Sequence, residues 1–268
     1  MGVDNHGTYC PPYFPWGLRL LADSRLFLKE VLQQIGPEVV KINTNLGEQI
    51  LNRMREIGAL LLWDTGAVKV NLEQPFRLVS GNYSPIYINC REVISDPTFM
   101  RIFTAFAGAL CRYRQIRMDV VAGGETAGIP LAAFLAQSLS LPMAYVRKET
   151  KGHGIASLVE GVIRKSERVL LVEDLITDAG SKISFIDAIH TSGGIVEDVL
   201  VIFDREQGGR EALEKIGVRL HAITDMTTTL EVARTERFLE ENEFESVRLY
   251  LQDPSQWLHK RGLNFRMG

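Results

Sequence analysis

The 268 residues contain only three cysteines, Cys10, Cys90 and Cys111, and no two of them form a CxxC pair. An odd, low count argues against a disulfide framework or a thiolate zinc site and makes reduced thiols in a cytoplasmic setting the expectation. No apolar run reaches the ~18 residues that a membrane helix needs. The chain opens on Asp4, Asn5 and His6 rather than on a basic stretch followed by an apolar one, so no secretory leader is expected. Positive charge is not in excess either. Lys and Arg total 30 against 33 Asp and Glu, a formal net charge of -3. No global field therefore invites nucleic acid, and an anionic ligand has to be met by local cations. GxxxxGK[ST] is absent, as is GxGxxG after a strand, which excludes the common nucleotide loops as the basis of a phosphate site. No period of ~20–50 residues recurs, so a solenoid is not expected.

What is present is an ordinary globular composition, 46% hydrophobic and 24% charged, on a chain long enough to bury a core. Residues 1–40 read as an appendage. Pro11, Pro12, Tyr13, Phe14, Pro15 and Trp16 cannot form a regular helix, and the helical spacing from Leu18 to Ile35 suits a docking or oligomer-contact element. We divide the chain into an extension with a helical lead-in over 1–48 and a main domain over 49–268. Gln49 to Leu62 predicts an amphipathic helix with Ile50, Leu51, Met54, Ile57 and Leu61 on one stripe. Short strands are expected over Ala67–Val70, Phe76–Val79 and Ile86–Asn89. From Asp119 strands and helices alternate. Strands are expected over Val120–Ala122, Met143–Val146, Val169–Val172, Val199–Phe203 and Leu220–Ile223, with helices over Ile129–Leu139, Ser181–His190 and Glu211–Ile216. Such alternation implies right-handed crossovers and a mainly parallel sheet flanked by helices, an α/β fold whose ligands sit at the carboxyl ends of the strands.

The segment 169–181, VLLVEDLITDAGS, carries the clearest chemistry. Four apolar residues run into Glu173 and Asp174, then a loop of small and hydroxyl residues, then a helix. Such a loop exposes several N–H groups to one point at the positive end of a helix dipole, which suits a phosphate. Thr177 and Ser181 can add hydroxyl donors. Two adjacent acids repel phosphate but can accept hydrogen bonds from the hydroxyls of a ribose, or hold water around magnesium. A plain strand–turn–helix with a capping Asp would also produce this pattern.

The segment resembles the phosphoribosyl pyrophosphate motif of the type I phosphoribosyltransferases, with Asp178 where that family usually has a small or hydroxyl residue. Three further segments resemble the orotate phosphoribosyltransferase family, in its order. Residues 76–91, FRLVSGNYSPIYINCR, resemble its Phe-x-Leu-x-Ser-Gly-x-x-Ser-Pro-x-Tyr signature. Residues 147–154, RKETKGHG, resemble its flexible loop, and residues 203–209, FDREQGG, its strand-end arginine. Two cations usual in the family are missing: Ala127 precedes the Gly-Ile-Pro of 128–130, and Val79 precedes Ser80-Gly81.

The resemblance implies a type I phosphoribosyltransferase fold with a small hood subdomain, from about 49–92 plus a C-terminal part. It implies transfer of the 5-phosphoribosyl group from phosphoribosyl pyrophosphate to orotate. Arg147, Lys148, Lys151, His153, Glu173, Asp174, Thr177, Asp178, Ala179, Gly180 and Ser181 would meet the donor. Lys69, Phe76, Ser80, Gly81, Tyr87, Thr177 and Arg205 would meet orotate, with the free amides of the Ser80-Gly81 turn on the edge of the base. Lys151, His153 and Asp174 are the catalytic candidates, the first two on a loop that closes to exclude water. Magnesium would arrive on the donor, with Asp174 as the one candidate protein group to hold it. A cytoplasmic homodimer with shared sites is implied, with neither nucleic acid nor membrane as partner. Two alternatives stand beside this reading: a non-catalytic sensor of the donor, and a transferase for another base.

Overall fold

The computed structural model describes residues 44–78, 81–149 and 158–263. Residues 1–40, Ser80, Lys151 and His153 lie outside them. The residues from Leu51 onward form one compact unit. Its first helix belongs to α1, Thr44–Asp64, longer at both ends than the stripe predicts.

Six strands make the central sheet: β5 Val120–Gly124, β6 Met143–Val146, β7 Val159–Glu160, β8 Arg168–Ile176, β9 Ile195–Asp204 and β10 Arg219–Asp225. Their order is β10-β9-β8-β5-β6-β7, and every pairing is parallel except the short β6–β7 edge. The middle strands are apolar almost throughout because both faces are covered. Strand alternation assigns the faces. Val120, Ala122, Val169, Leu171, Val199 and Val201 share one cluster with Phe185, Ile186 and Ile189 of α4, Gly180–Thr191. The opposite face meets α3, Gly128–Leu139: a Cβ built on Gly123 would stand 2.5 Å from the Gly128 carbonyl oxygen.

The helix α2, Pro97–Tyr113, was not anticipated from the sequence. Asp96 caps it, accepting from the N–H groups of Thr98 (2.7 Å) and Phe99 (3.1 Å), and Pro97 opens its first turn. Phe99, Ile102, Phe103, Phe106 and Leu110 form its buried stripe.

Two small antiparallel ladders stand apart from the sheet. One pairs β1, Val68–Val70, with β4, Ile86–Ile88; the other pairs β2, Phe76–Arg77, with β3, Tyr83–Ser84. Tyr83 packs on the C-terminal cluster of Tyr250, Trp257 and Leu258, which comes from α7, Glu241–Gln252, and α8, Pro254–His259. Between sheet and C-terminus lie α5, Gly209–Glu214, and α6, Met226–Thr235. No helix among the described residues is long and apolar enough to cross a membrane.

Candidate active site

The polar motifs meet at the carboxyl ends of β5, β8 and β9, where an α/β sheet places its ligands. The register Ile176↔Asp204 aligns the ends of β8 and β9, and the Arg205 N–H donates to the Ile176 carbonyl at 3.0 Å. Arg205 thus begins where the 177–181 loop begins.

β8 runs four residues beyond the apolar stretch and includes both acids. Consecutive residues of a strand point to opposite faces, so Glu173 and Asp174 part company. Glu173 goes to the α4 face, is 4% exposed, and pairs with Lys182 Nζ at 2.9 Å. Its Oε1 is buried and has no hydrogen-bond partner among the described residues. That oxygen occupies the space left by two glycines, since a Cβ on Gly124 or Gly128 would stand 2.4 or 2.5 Å from it. Burial pushes the Glu173 carboxyl up to about 7, against the opposing pull of Lys182. Asp174 goes the other way. Its Oδ1 accepts from the Leu175 N–H at 2.8 Å, and its Oδ2 lies 3.9 Å from Arg91 Nε. Of the two acids expected on the ribose, Asp174 faces the hood, whereas Glu173 is withdrawn against α4.

In the loop that follows, Asp178 Oδ1 accepts from the Gly180 N–H at 3.0 Å, so the carboxylate already uses one of the amides expected to hold phosphate. Ala179 is left-handed (φ 70°) and buried, and precedes the first turn of α4. Gly180 and Ser181 are exposed, while Thr177 is half-buried. Lys182 Nζ, besides its pairing with Glu173, donates to Ser181 Oγ at 3.3 Å.

Across the cleft, the 125–127 turn after β5 is tied to the end of β6. The Lys148 N–H donates to Glu125 Oε2 at 2.7 Å, and the Glu125 N–H to the Val146 carbonyl at 2.8 Å. Ala127, where a lysine is usual, is buried. Lys148 is exposed and near enough to Glu173 to act on its carboxyl. Arg147 is half-buried, with its Nη1 3.9 Å from Glu160 Oε1 and its N–H donating to the Leu158 carbonyl at 2.8 Å.

On the hood side, Phe76 and Tyr87 lie 5.5 Å apart between ring centroids. The Gly81 N–H donates to the Leu78 carbonyl at 2.9 Å, and Gly81 adopts φ 83°. The hairpin therefore consumes that amide, which corrects the expectation of a free N–H there. Lys69 pairs with Glu92 at 2.8 Å. Arg205 keeps its guanidinium for other use. Its neighbour Asp204 is taken by Arg210 (3.0 Å), and Glu206 accepts from the N–H and hydroxyl of Thr227 (2.8 and 2.7 Å). Arg205 has no ion pair among the described residues, and its Nε is buried without a hydrogen-bond partner. Burial pulls its pKa below the usual arginine value, and Tyr250, Cys90 and Tyr87 are close enough to act on it. The buried Cys90 thiol is pushed up by burial and by Asp174, with Arg205 opposing. Arg91 thus meets Asp174, and Asp174, Cys90, Tyr87, Tyr250 and Arg205 form a chain of groups near enough for charge to act between neighbours. Arg91 and Cys90 stand inside the quoted signature but had no role assigned; Tyr250 and Lys182 carried no local signal at all.

No group of three or more His, Cys, Asp or Glu among the described residues could hold a metal ion. The carboxylates nearest the loop, apart from the ammonium-paired Glu173, are Asp174 and Asp178. That suits magnesium, which takes one or two carboxylates and fills its remaining positions with phosphate oxygens and water.

A family model for the phosphoribosyl transferase domain matches residues 92–226. The chain is 42% identical over 213 residues to the orotate phosphoribosyltransferase of Rhizobium meliloti (strain 1021), covering 78% of this chain and 92% of that protein. Among solved structures, it is similar to orotate phosphoribosyltransferase from Aeropyrum pernix, with 34% identity and a TM-score of 0.59 over 68% of this chain and 99% of that one. It is also similar to the UMP synthase of Leishmania donovani, at 28% identity and a TM-score of 0.65 over 74% of this chain; it spans 42% of that longer protein.

Proposed function

The chain belongs to the orotate phosphoribosyltransferase family, and on that premise we propose that it transfers the 5-phosphoribosyl group of phosphoribosyl pyrophosphate to N1 of orotate. The new C–N bond replaces the anomeric C–O bond, giving orotidine 5-monophosphate and pyrophosphate. The observation that carries the reading is Arg205. A half-buried arginine with an unpartnered buried Nε, whose flanking acids are both engaged elsewhere, is poised for a carboxylate, and its planar fork matches one in two parallel hydrogen bonds. Purine and plain uracil offer no such group.

The transition state carries positive charge on the ribose ring and negative charge on the departing pyrophosphate. Asp174 accepts from the ribose hydroxyls on the hood side of β8. The amides of the 177–181 loop and the first turn of α4 hold the 5-phosphate. Lys148, with Arg147, Lys151 and His153 from the same stretch, meets the charge that builds on the leaving group. Magnesium, when bound, supplies further neutralisation of the pyrophosphate, and Asp174 is the residue that would hold it through water. The negative charge of orotate lies on its carboxylate, so N1 gives up its proton as the C–N bond forms, and the departing pyrophosphate is the base at hand to take it. The same reading makes Lys151 and His153 a lid shared between the subunits of a cytoplasmic homodimer.

The test is a spectrophotometric assay with purified protein, magnesium, phosphoribosyl pyrophosphate and orotate. Loss of orotate absorbance is expected. No loss at high enzyme concentration overturns the proposal.

A further inference from the structure

Lys182 is the only lysine or arginine among the buried residues described, at 7% exposure. Lysine is rarely buried unless paired, and burying an ion pair typically gains nothing over an apolar pair of the same volume. Stability alone therefore does not explain it. Its position does. Lys182 lies in the first turn of α4, and its ammonium bridges the end of β8 and the phosphate loop: Glu173 Oε2 at 2.9 Å on one side, Ser181 Oγ at 3.3 Å on the other. An ammonium is a donor only, so Ser181 Oγ must accept from it. The single hydroxyl proton of Ser181 is then left to point elsewhere, and Ser181 is exposed at the start of α4, beside the loop amides.

We propose that Lys182 is a positioning residue for the donor's 5-phosphate: anchored on Glu173, it fixes Ser181 with the hydroxyl proton turned outward as a hydrogen-bond donor. This rests on the reading that the 177–181 loop holds that phosphate. Lys182 touches no substrate; it acts through Ser181. The role answers a local need, because Asp178 occupies the Gly180 amide and leaves the loop one donor poorer.

Calorimetry with ribose 5-phosphate and no orotate tests this. Lys182→Met should weaken binding by ~10-fold, the scale of one hydrogen bond to a charged group, while KM for orotate is unchanged. In a Ser181→Ala background the same substitution should cause no further loss. If Lys182→Met alone does not fold, Glu173→Gln/Lys182→Met, in which no buried charge is left unpaired, is compared with the parent and with the same protein carrying Ser181→Ala. Unchanged affinity, or losses at 181 and 182 that add, overturns the proposal, as does failure of the parent to bind ribose 5-phosphate. A parent that binds it but never consumes orotate sinks the functional reading and leaves this one standing.

Discussion

Glu173 and Asp174 are neighbours in β8 that leave the sheet on opposite faces, one to a buried ammonium 2.9 Å away and the other toward Arg91 at 3.9 Å. The cause is the period of the strand, which continues to Ile176 and cannot send consecutive side chains the same way. The pair of acids is therefore divided in labour. Asp174 faces Arg91, and Glu173 fills the joint between the sheet, α4 and the glycines at 124 and 128.

That division has a pH signature. Burial raises the folded Glu173 carboxyl from 4.5 to about 7. The folded state then binds the extra proton between those values, so the contribution of Glu173 to stability is fully present below 4.5 and is lost as pH rises through about 7. The drop is on the order of 3 kcal/mol. Urea melts of the ligand-free protein at pH 5 and pH 8 measure it. Replacing both partners together, Glu173→Gln with Lys182→Met, should flatten this component of the pH dependence. Lys182→Met alone should steepen it, because Lys182 opposes the rise. An unaltered slope in both variants would mean that Glu173 is not the titrating group.

Asp178 sets a second expectation. Its carboxylate sits at the mouth of the phosphate loop and holds the Gly180 N–H. Asp178→Asn keeps the accepting oxygen and removes the charge, so the loop conformation survives while the repulsion is lost. Two charges in a wet site at ~4 Å interact by about 1 kcal/mol. KM for phosphoribosyl pyrophosphate should therefore fall about fivefold at low salt and less at high salt, with KM for orotate unmoved. A rise in donor KM would show that the carboxylate serves binding rather than opposing it.

Local pattern carried the sheet well because its strands are apolar on both faces and its helices begin at marked turns; Met143–Val146 came out as expected. The α2 helix was missed although Asp96-Pro97 is a sound start signal and Phe99, Ile102, Phe103 and Phe106 follow at helical spacing. The site was legible as motifs but not as geometry. Lys182 reads in a helix as a solvated cation, and only the glycines at 124 and 128 make room for the Glu173 carboxylate with which it pairs. Tyr250 comes near enough from another part of the chain to act on the charge of Arg205, and no spacing rule reports that.

Gly123 is the backbone test of the same joint. A Cβ there would stand 2.5 Å from the Gly128 carbonyl oxygen and 2.8 Å from the Ile129 Cα, and neither is the end of a flexible side chain. Gly123→Ala must push α3 off the end of β5. It should cost more than ~2 kcal/mol in chemical denaturation, in line with overpacking against an unyielding core. Gly66→Ala serves as a contrast. Nothing lies within 4 Å of its Cβ, and only its φ of 72° is strained, so its cost should stay near ~1 kcal/mol.

On the proposed function, Arg205 is the residue that reads the carboxylate of the base. Its Nε is buried without a hydrogen-bond partner, and Asp204 and Glu206 are committed to Arg210 and Thr227. Removing a buried charge that pairs with a ligand carboxylate costs ~2–5 kcal/mol, so Arg205→Ala should raise KM for orotate by ~30-fold or more. Arg205→Lys should recover only part of this, since an ammonium cannot present two parallel donors. Binding of phosphoribosyl pyrophosphate, read by calorimetry without orotate, should be unchanged in both, because the donor loop is held by β8 and α4. Equal losses for donor and orotate would mean that Arg205 supports the end of β8 through its backbone bond to Ile176 and does not read the carboxylate.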